Sequence, residues 1–176
     1  MAFAIAALAG TTVLATPSTA TAQTTTTTAK KSTVVTKKTS AKPAAGASAQ
    51  EKLPDGKQVY ATTCAACHQA TGEGVAGVFP PLVGSEWVTG DESKLALIIL
   101  HGVTGPIEVA GETFNGMMPP WGGTMKDADI AAVITYVRSA WGNKAAPVTT
   151  AKIASIRAAH TSRTTPWTAA ELAAVK

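Results

Sequence analysis

Cysteine is nearly absent from this chain of 176 residues. With only Cys64 and Cys67 present, a disulfide-rich scaffold is excluded and a four-thiolate metal site cannot be built. Aromatic residues are also scarce, at 5% of the sequence, so large side chains to fill a core are few. Charge is missing altogether from Met1 to Ala22. The apolar run within that stretch, Ala2 to Ala15, falls short of the roughly 20 residues a membrane-spanning helix needs. Followed by Pro17 and the small residues Ala20-Thr21-Ala22 before Gln23, it reads as a secretory signal peptide over residues 1–22. The basic start that such leaders carry is missing too, which points to a translation start upstream of Met1.

What is present is concentrated in Cys64-Ala65-Ala66-Cys67-His68. Two thiols three residues apart, followed at once by an imidazole, form the attachment signature of a c-type haem. On one helical turn each cysteine can form a thioether with a haem vinyl group, and the adjacent histidine reaches the iron from one face. A structural zinc site would want a second pair of ligands, and no second cysteine pair exists. A thioredoxin-like dithiol would want a βαβ setting, yet Gly56 to Thr63 reads as a short helix and Gln69 to Gly77 as a glycine-rich loop.

Iron that carries electrons rather than binding small molecules needs a sixth ligand, and a thioether sulfur raises its reduction potential. Beyond Met1 the methionines are Met117, Met118 and Met125. The stretch Asn115-Gly116-Met117-Met118-Pro119-Pro120-Trp121-Gly122 is a loop by composition, stiffened by its prolines and able to lay a side chain on the open haem face. Met118, directly before the prolines, is the preferred ligand, although spacing alone leaves Met117 open. Neighbours on an extended segment point opposite ways, so only one of them reaches the iron. Methionine also serves commonly as a gap-filler in cores, and only the C-x-x-C-H sequence tips the balance towards ligation.

Cys64-x-x-Cys67-His68, Pro80-x-Leu82-x-Gly84 and Asn115-Gly116-x-Met118-Pro119-Pro120, in that order and spacing, resemble the class I cytochromes c from about Leu53 to Asn143. The resemblance implies Cys64 and Cys67 as thioether anchors of one haem c, His68 as proximal ligand and Met118 as distal ligand. It also implies that the Pro80 carbonyl accepts the second ring N–H of His68, fixing the ring and its basicity. Gly56 and Tyr60 in the first helix and Tyr136 in the last look like that family's crossing of terminal helices. The expected fold is all-α, three to five helices packed around one covalently bound haem. Export is expected, because the resemblance implies haem attachment outside the cytoplasm.

Charge follows the same organisation. Residues 23–52, with a threonine run from Thr24 to Thr28 and six lysines, cannot build a core and read as a disordered linker. Lys30 to Lys42 give it a weak contact with an anionic membrane surface, or simply solvate a spacer. The haem domain, 53–143, holds four basic and nine acidic residues, so the overall charge of +4 belongs to the flanks and no nucleic-acid motif accompanies it. An acidic carrier suits a partner with a basic rim. Asp91 is expected to cap a helix through Leu95, Ile98 and Ile99 that stops at Gly102. Asp127 opens another, with Ile130, Val133, Ile134, Val137 and Trp141 on one stripe and Gly142-Asn143 at its end. Trp87, Trp121 and Trp141 are expected in the core or haem wall, and His101, at a helix end beside glycine, as a capping or surface group rather than an iron ligand. The extension 144–176 holds two helical pieces, Ile153 to His160 and one opened by Thr168-x-x-Glu171, and either wraps back through Trp167 or docks a partner.

Together these features predict an exported, monomeric, single-haem carrier of electrons that is not itself an enzyme. Its expected partners are a periplasmic dehydrogenase or reductase, or a terminal oxidase. A haem enzyme or haem-based ligand sensor is the alternative, and either would need a vacant sixth position on iron.

Overall fold

The computed structural model describes residues 52–175. The expected leader, residues 1–22, and all but the last residue of the expected linker, including Lys30 to Lys42, lie outside the described residues. Among those described, no helix is long and apolar enough to cross a membrane.

Helix α1, Gly56–Thr63, begins where the Asp55 carboxylate accepts the Lys57 and Gln58 amides, satisfying donors that the first turn leaves free. The chain re-enters helix directly as α2, Ala65–His68, and Gln69 ends it at φ 62°. After α3, Glu86–Thr89, Asp91 caps α4, Glu92–His101, through the Ser93 amide at 2.7 Å. Gly102 at φ 78° stops α4, a conformation that other residues adopt only with strain. Helix α5, Asp127–Ser139, buries Ile130, Val133, Ile134 and Val137 as the 3.6-residue period requires.

The fold is not purely helical. Val103–Val109 (β1) and Glu112–Met118 (β2) pair antiparallel, from Val109 with Glu112 at the turn to Val103 with Met118 at the open end. Both turn residues, Ala110 and Gly111, have positive φ, which matches the right-handed twist of a two-residue hairpin. Two strands alone are marginal in water. Ile107, Val109 and Phe114, buried against the helices, are what hold this pair in place.

Helix α5 also ends earlier than its stripe suggests. It stops at Ser139, and Trp141, at φ 53°, folds back to meet Tyr60 edge-on at 5.0 Å and Tyr136 at 5.4 Å. Just beyond it, the buried Asn143 side chain donates to the Leu82 and Val137 carbonyls and accepts the Gly84 amide at 2.9 Å. One amide thus ties the Leu82–Gly84 turn to the end of α5. Arg138, 4% exposed, donates to the carbonyls of Val88, Gly90 and Ala146, a buried cation satisfied by backbone dipoles.

Residues 144–175 wrap back over the rest. Helix α6, Thr150–Ala159, packs on α4 and α5 through Ile153 and Ile156, and α7, Ala169–Ala174, lies against β1. Thr168 and Glu171 form the expected reciprocal cap of α7, with Arg163 on Glu171 at 2.9 Å. Trp167 is buried, and its backbone bonds both Gly102 and Thr104, flanking Val103. The rings of His101 and His160 stand against that indole, and the Arg163 guanidinium lies 3.6 Å over it.

Two outcomes follow from this packing. Gly56→Ala would ordinarily stabilise a helix by up to ~1 kcal/mol. Here a Cβ at Gly56 would run into the Ala132 carbonyl and lie 2.9 Å from the Tyr136 Cβ, so α1 and α5 must part and the variant should lose about 1–3 kcal/mol in denaturant unfolding. The second concerns pH. Burial first, then His160, and also Arg163 and Arg157, hold His101 below the usual histidine pKa, against a backbone bond from Arg163 that opposes the shift. The unfolded chain therefore takes up this proton first, and stability should fall as pH drops below about 6.5. In His101→Phe that part of the pH dependence should vanish from thermal melts.

Candidate haem site

The chain turns at Cys64 so that α1 runs almost unbroken into α2, with the Cys64 carbonyl accepting the Cys67 and His68 amides. Both thiols and the His68 ring consequently face one cleft, with a volume of about 340 Å³. Leu95, Ile98 and Ile99 from α4, Val133 and Val137 from α5, and Ile107 and Phe114 from the hairpin complete an apolar wall. Trp87, fixed by a 2.8 Å bond from its indole N–H to the Glu108 carbonyl, lines the same cleft. Trp121 and Trp141 do not, nor does His101, which is engaged with His160 and Trp167.

The His68 Nδ1 lies 2.9 Å from the Pro80 carbonyl oxygen. A carbonyl can only accept, so Nδ1 carries the proton and Nε2 keeps the lone pair that a metal needs. Burial depresses the pKa of the ring, outweighing the opposite effect of Pro80, which keeps the imidazole neutral. The Pro80 carbonyl is held in turn by a close approach at Gly74, whose own amide bonds the His68 carbonyl at 3.0 Å. A Cβ there would lie 2.7 Å from the Pro80 oxygen, and φ is 67°. Only glycine fits both demands.

Burial, reinforced by Cys67, pushes the Cys64 thiol up to about 11. A thiol–disulfide oxidoreductase needs the opposite, a thiolate formed near neutral pH, so the electrostatics disfavour the dithiol reading. A flat, largely apolar macrocycle with two vinyl groups suits the cleft: apolar walls, two thiols and one neutral imidazole with a free Nε2.

Met117 and Met118 both line this cleft, but not from a loop. They end strand β2, where alternation turns them apart: Met117 is 68% exposed, while Met118 is partly buried and packs on the core. Composition misled because Gly105, Pro106 and Gly116 are poor strand formers, and β1 and β2 form a sheet of just two strands. Among the cleft residues that went unrecognised in the sequence, Ile107 and Phe114 belong to the hairpin. Their signal was the Ala110-Gly111 turn between two apolar-spaced runs.

Residues 53–141 match the family model for cytochrome c. The chain belongs to the cytochrome c family. It is a class I, single-haem cytochrome, an electron-transfer protein with covalent haem c, and Cys64 and Cys67 occupy the positions of the attachment motif. Cytochrome c-552 of Thermus thermophilus is 43% identical over 93 residues, covering 51% of this chain and 70% of that one. The cytochrome c subunit of gluconate 2-dehydrogenase from Pantoea cypripedii is 36% identical over 108 residues, 58% of this cytochrome but 24% of that subunit. The cbb3-type cytochrome c oxidase subunit CcoP of Azospirillum brasilense is 34% identical over 109 residues, 58% of this chain and 32% of its own.

Gly74→Ala should displace the Pro80 carbonyl from His68 and lower the basicity of the ring. A less basic ligand favours ferrous iron, so potentiometry of the purified cytochrome should give a higher reduction potential. A tenfold change in the oxidised-to-reduced preference corresponds to about 59 mV. An unchanged potential would show that Pro80 does not tune His68.

Proposed function

We propose that this cytochrome is an exported single-electron carrier whose haem is anchored through Cys64 and Cys67, with iron between His68 Nε2 and the Met118 sulfur. The observation that carries the reading is convergence: the two thiols, the oriented imidazole and Met118 reach one apolar cleft from elements that are distant in sequence. The haem supplies the one-electron change at iron when bound. The chain's residues orient the ligands, exclude water and hold the His68 proton at Nδ1.

With His68 and Met118 both holding the iron of a bound haem, no substrate would need to reach the metal, which makes the protein a carrier or a cytochrome subunit rather than the catalyst of a reaction. Pro80 acts as a positioning residue through His68. Residues 53–143 hold the site, 144–176 support it, and 1–22 and 23–52 serve as leader and tether, the latter with a weak contact between Lys30 to Lys42 and an anionic surface. A monomer in the periplasm fits that arrangement. Its exchange partners are a dehydrogenase or reductase, or a terminal oxidase; the relatives named as subunits of such complexes support this class. The mouth of the cleft, moreover, carries Val78 at 56% exposure, Phe79 and Met117. These apolar side chains at the rim suit a small, short-lived contact without an obligatory charge match, so the acidic balance of the domain acts at longer range.

A haem enzyme or sensor would instead leave the sixth position vacant. Visible spectra with carbon monoxide separate the readings. Wild type and Met117→Ala should stay low-spin and inert to carbon monoxide when reduced, and Met118→Ala should turn high-spin and bind it. Rapid binding by the wild type would sink the carrier reading.

A further inference from the structure

We infer that Arg157, in the C-terminal extension, is a positioning residue for the axial methionine: its guanidinium pins the segment that follows Met118 and so governs release of the sulfur from iron. The inference rests on the assignment of Met118 above. Arg157 reaches three groups at once, the Gly122 carbonyl through Nη1 at 2.5 Å, the Met125 carbonyl through Nη2 at 3.0 Å and the Asp127 carboxylate through Nε at 2.7 Å. One planar fork therefore joins the loop after β2 to the start of α5.

The same loop is gripped from its other side by α4. The Trp121 amide bonds the Ile99 carbonyl at 2.8 Å and the Gly122 amide bonds that of Leu100 at 3.1 Å. Gly122 is squeezed between the two: a Cβ there would lie 2.6 Å from the Leu100 oxygen and 3.3 Å from Arg157 Nη1. Upstream, Met118 sits opposite Val103 in the hairpin, the residue that the two Trp167 backbone bonds flank. The Met118 carbonyl in turn packs on Gly102, where a Cβ would lie 2.5 Å from it. Met118 thus has tethers on both sides, Trp167 at the strand and Arg157 at the loop, both supplied by the extension. A thioether leaves iron more readily when its backbone can move away, and these tethers restrict that movement.

The test uses the full holoprotein with Arg157→Ala, Arg157→Lys, Met118→Ala and Ile153→Ala. The last loosens the packing of α6 without touching the guanidinium, since Ile153 is fully buried. At a temperature where all variants give native far-ultraviolet circular dichroism, three things are read: the pH at which the methionine-to-ferric-iron charge-transfer band disappears, the rate of carbon monoxide uptake by the reduced protein, and hydrogen exchange at the Trp121 and Gly122 amides. In Arg157→Ala the band should vanish at lower pH, uptake should rise at least tenfold, and both amides should exchange faster. Arg157→Lys, which keeps the charge toward Asp127 but loses the fork, should fall between and covers the case in which the alanine variant does not fold. Ile153→Ala should lower the melting temperature with the band and uptake near wild type.

If the Arg157 variants match wild type in band and uptake, the inference is overturned. If Ile153→Ala loosens the sulfur as much as Arg157→Ala at an equal loss of melting temperature, Arg157 is merely structural and the inference is likewise overturned. Persistence of the band in Met118→Ala would overturn the ligand assignment itself, an outcome distinguishable from the first because the Arg157 variants play no part in it.

Discussion

A cleft of about 340 Å³ in so small a fold leaves part of the facing surfaces of α4, α5 and the hairpin without a protein partner. Dispersion needs atoms in contact, and across the cleft that contact must come from the cofactor. Contacts at the periphery consequently add to the cohesion of the shared apolar core. There α1 crosses α5 at Gly56, the Asn143 side chain binds Leu82, Gly84 and Val137, and the buried Arg138 gathers the carbonyls of Val88, Gly90 and Ala146. Each of these contacts is polar or tightly stacked, and each joins segments remote in sequence. They act as struts around a space the chain must keep open.

The arrangement explains which features were legible in the sequence. Cys64, Cys67 and His68 form a local motif, and their geometry follows from one helical turn, so spacing alone carried the chemistry. Asp91, Gly102 and the Thr168–Glu171 pair declare helix ends through caps that need no tertiary partner. The hairpin was hidden because its residues are weak strand formers and its stability comes from burial of Ile107, Val109 and Phe114, which only the folded chain supplies. Trp141 continues the spacing of α5 yet lies outside it, since its contacts with Tyr60 and Tyr136 outweigh helical continuation. In the sequence Arg138 and Arg157 register only as positive charges. Each is instead a multi-pronged donor to backbone carbonyls, a role that a charge count cannot show.

The change from loop to strand at Met118 alters more than a label. A loop residue owes its position to its own stiffness, whereas the end of a strand inherits its position from a partner. Here that partner is Val103, directly after the glycine that stops α4 and between the two bonds made by Trp167. The second wall of the cleft is thereby referenced to α4 and to the extension, while His68 is referenced to Pro80 and Gly74. The two sides are built by different parts of the chain.

Chain order gives the extension a further meaning. Residues 64–68 lie far upstream of α6 and α7, which close over the rest of the domain from its other end. Without α6 and α7 docked, the cleft would lack the contacts of Arg157 and Trp167 with the segments around Met118. A bulky planar group can be installed in a half-built site and enclosed afterwards. The extension then serves as a latch on a site whose cysteines and imidazole come from the other end of the domain.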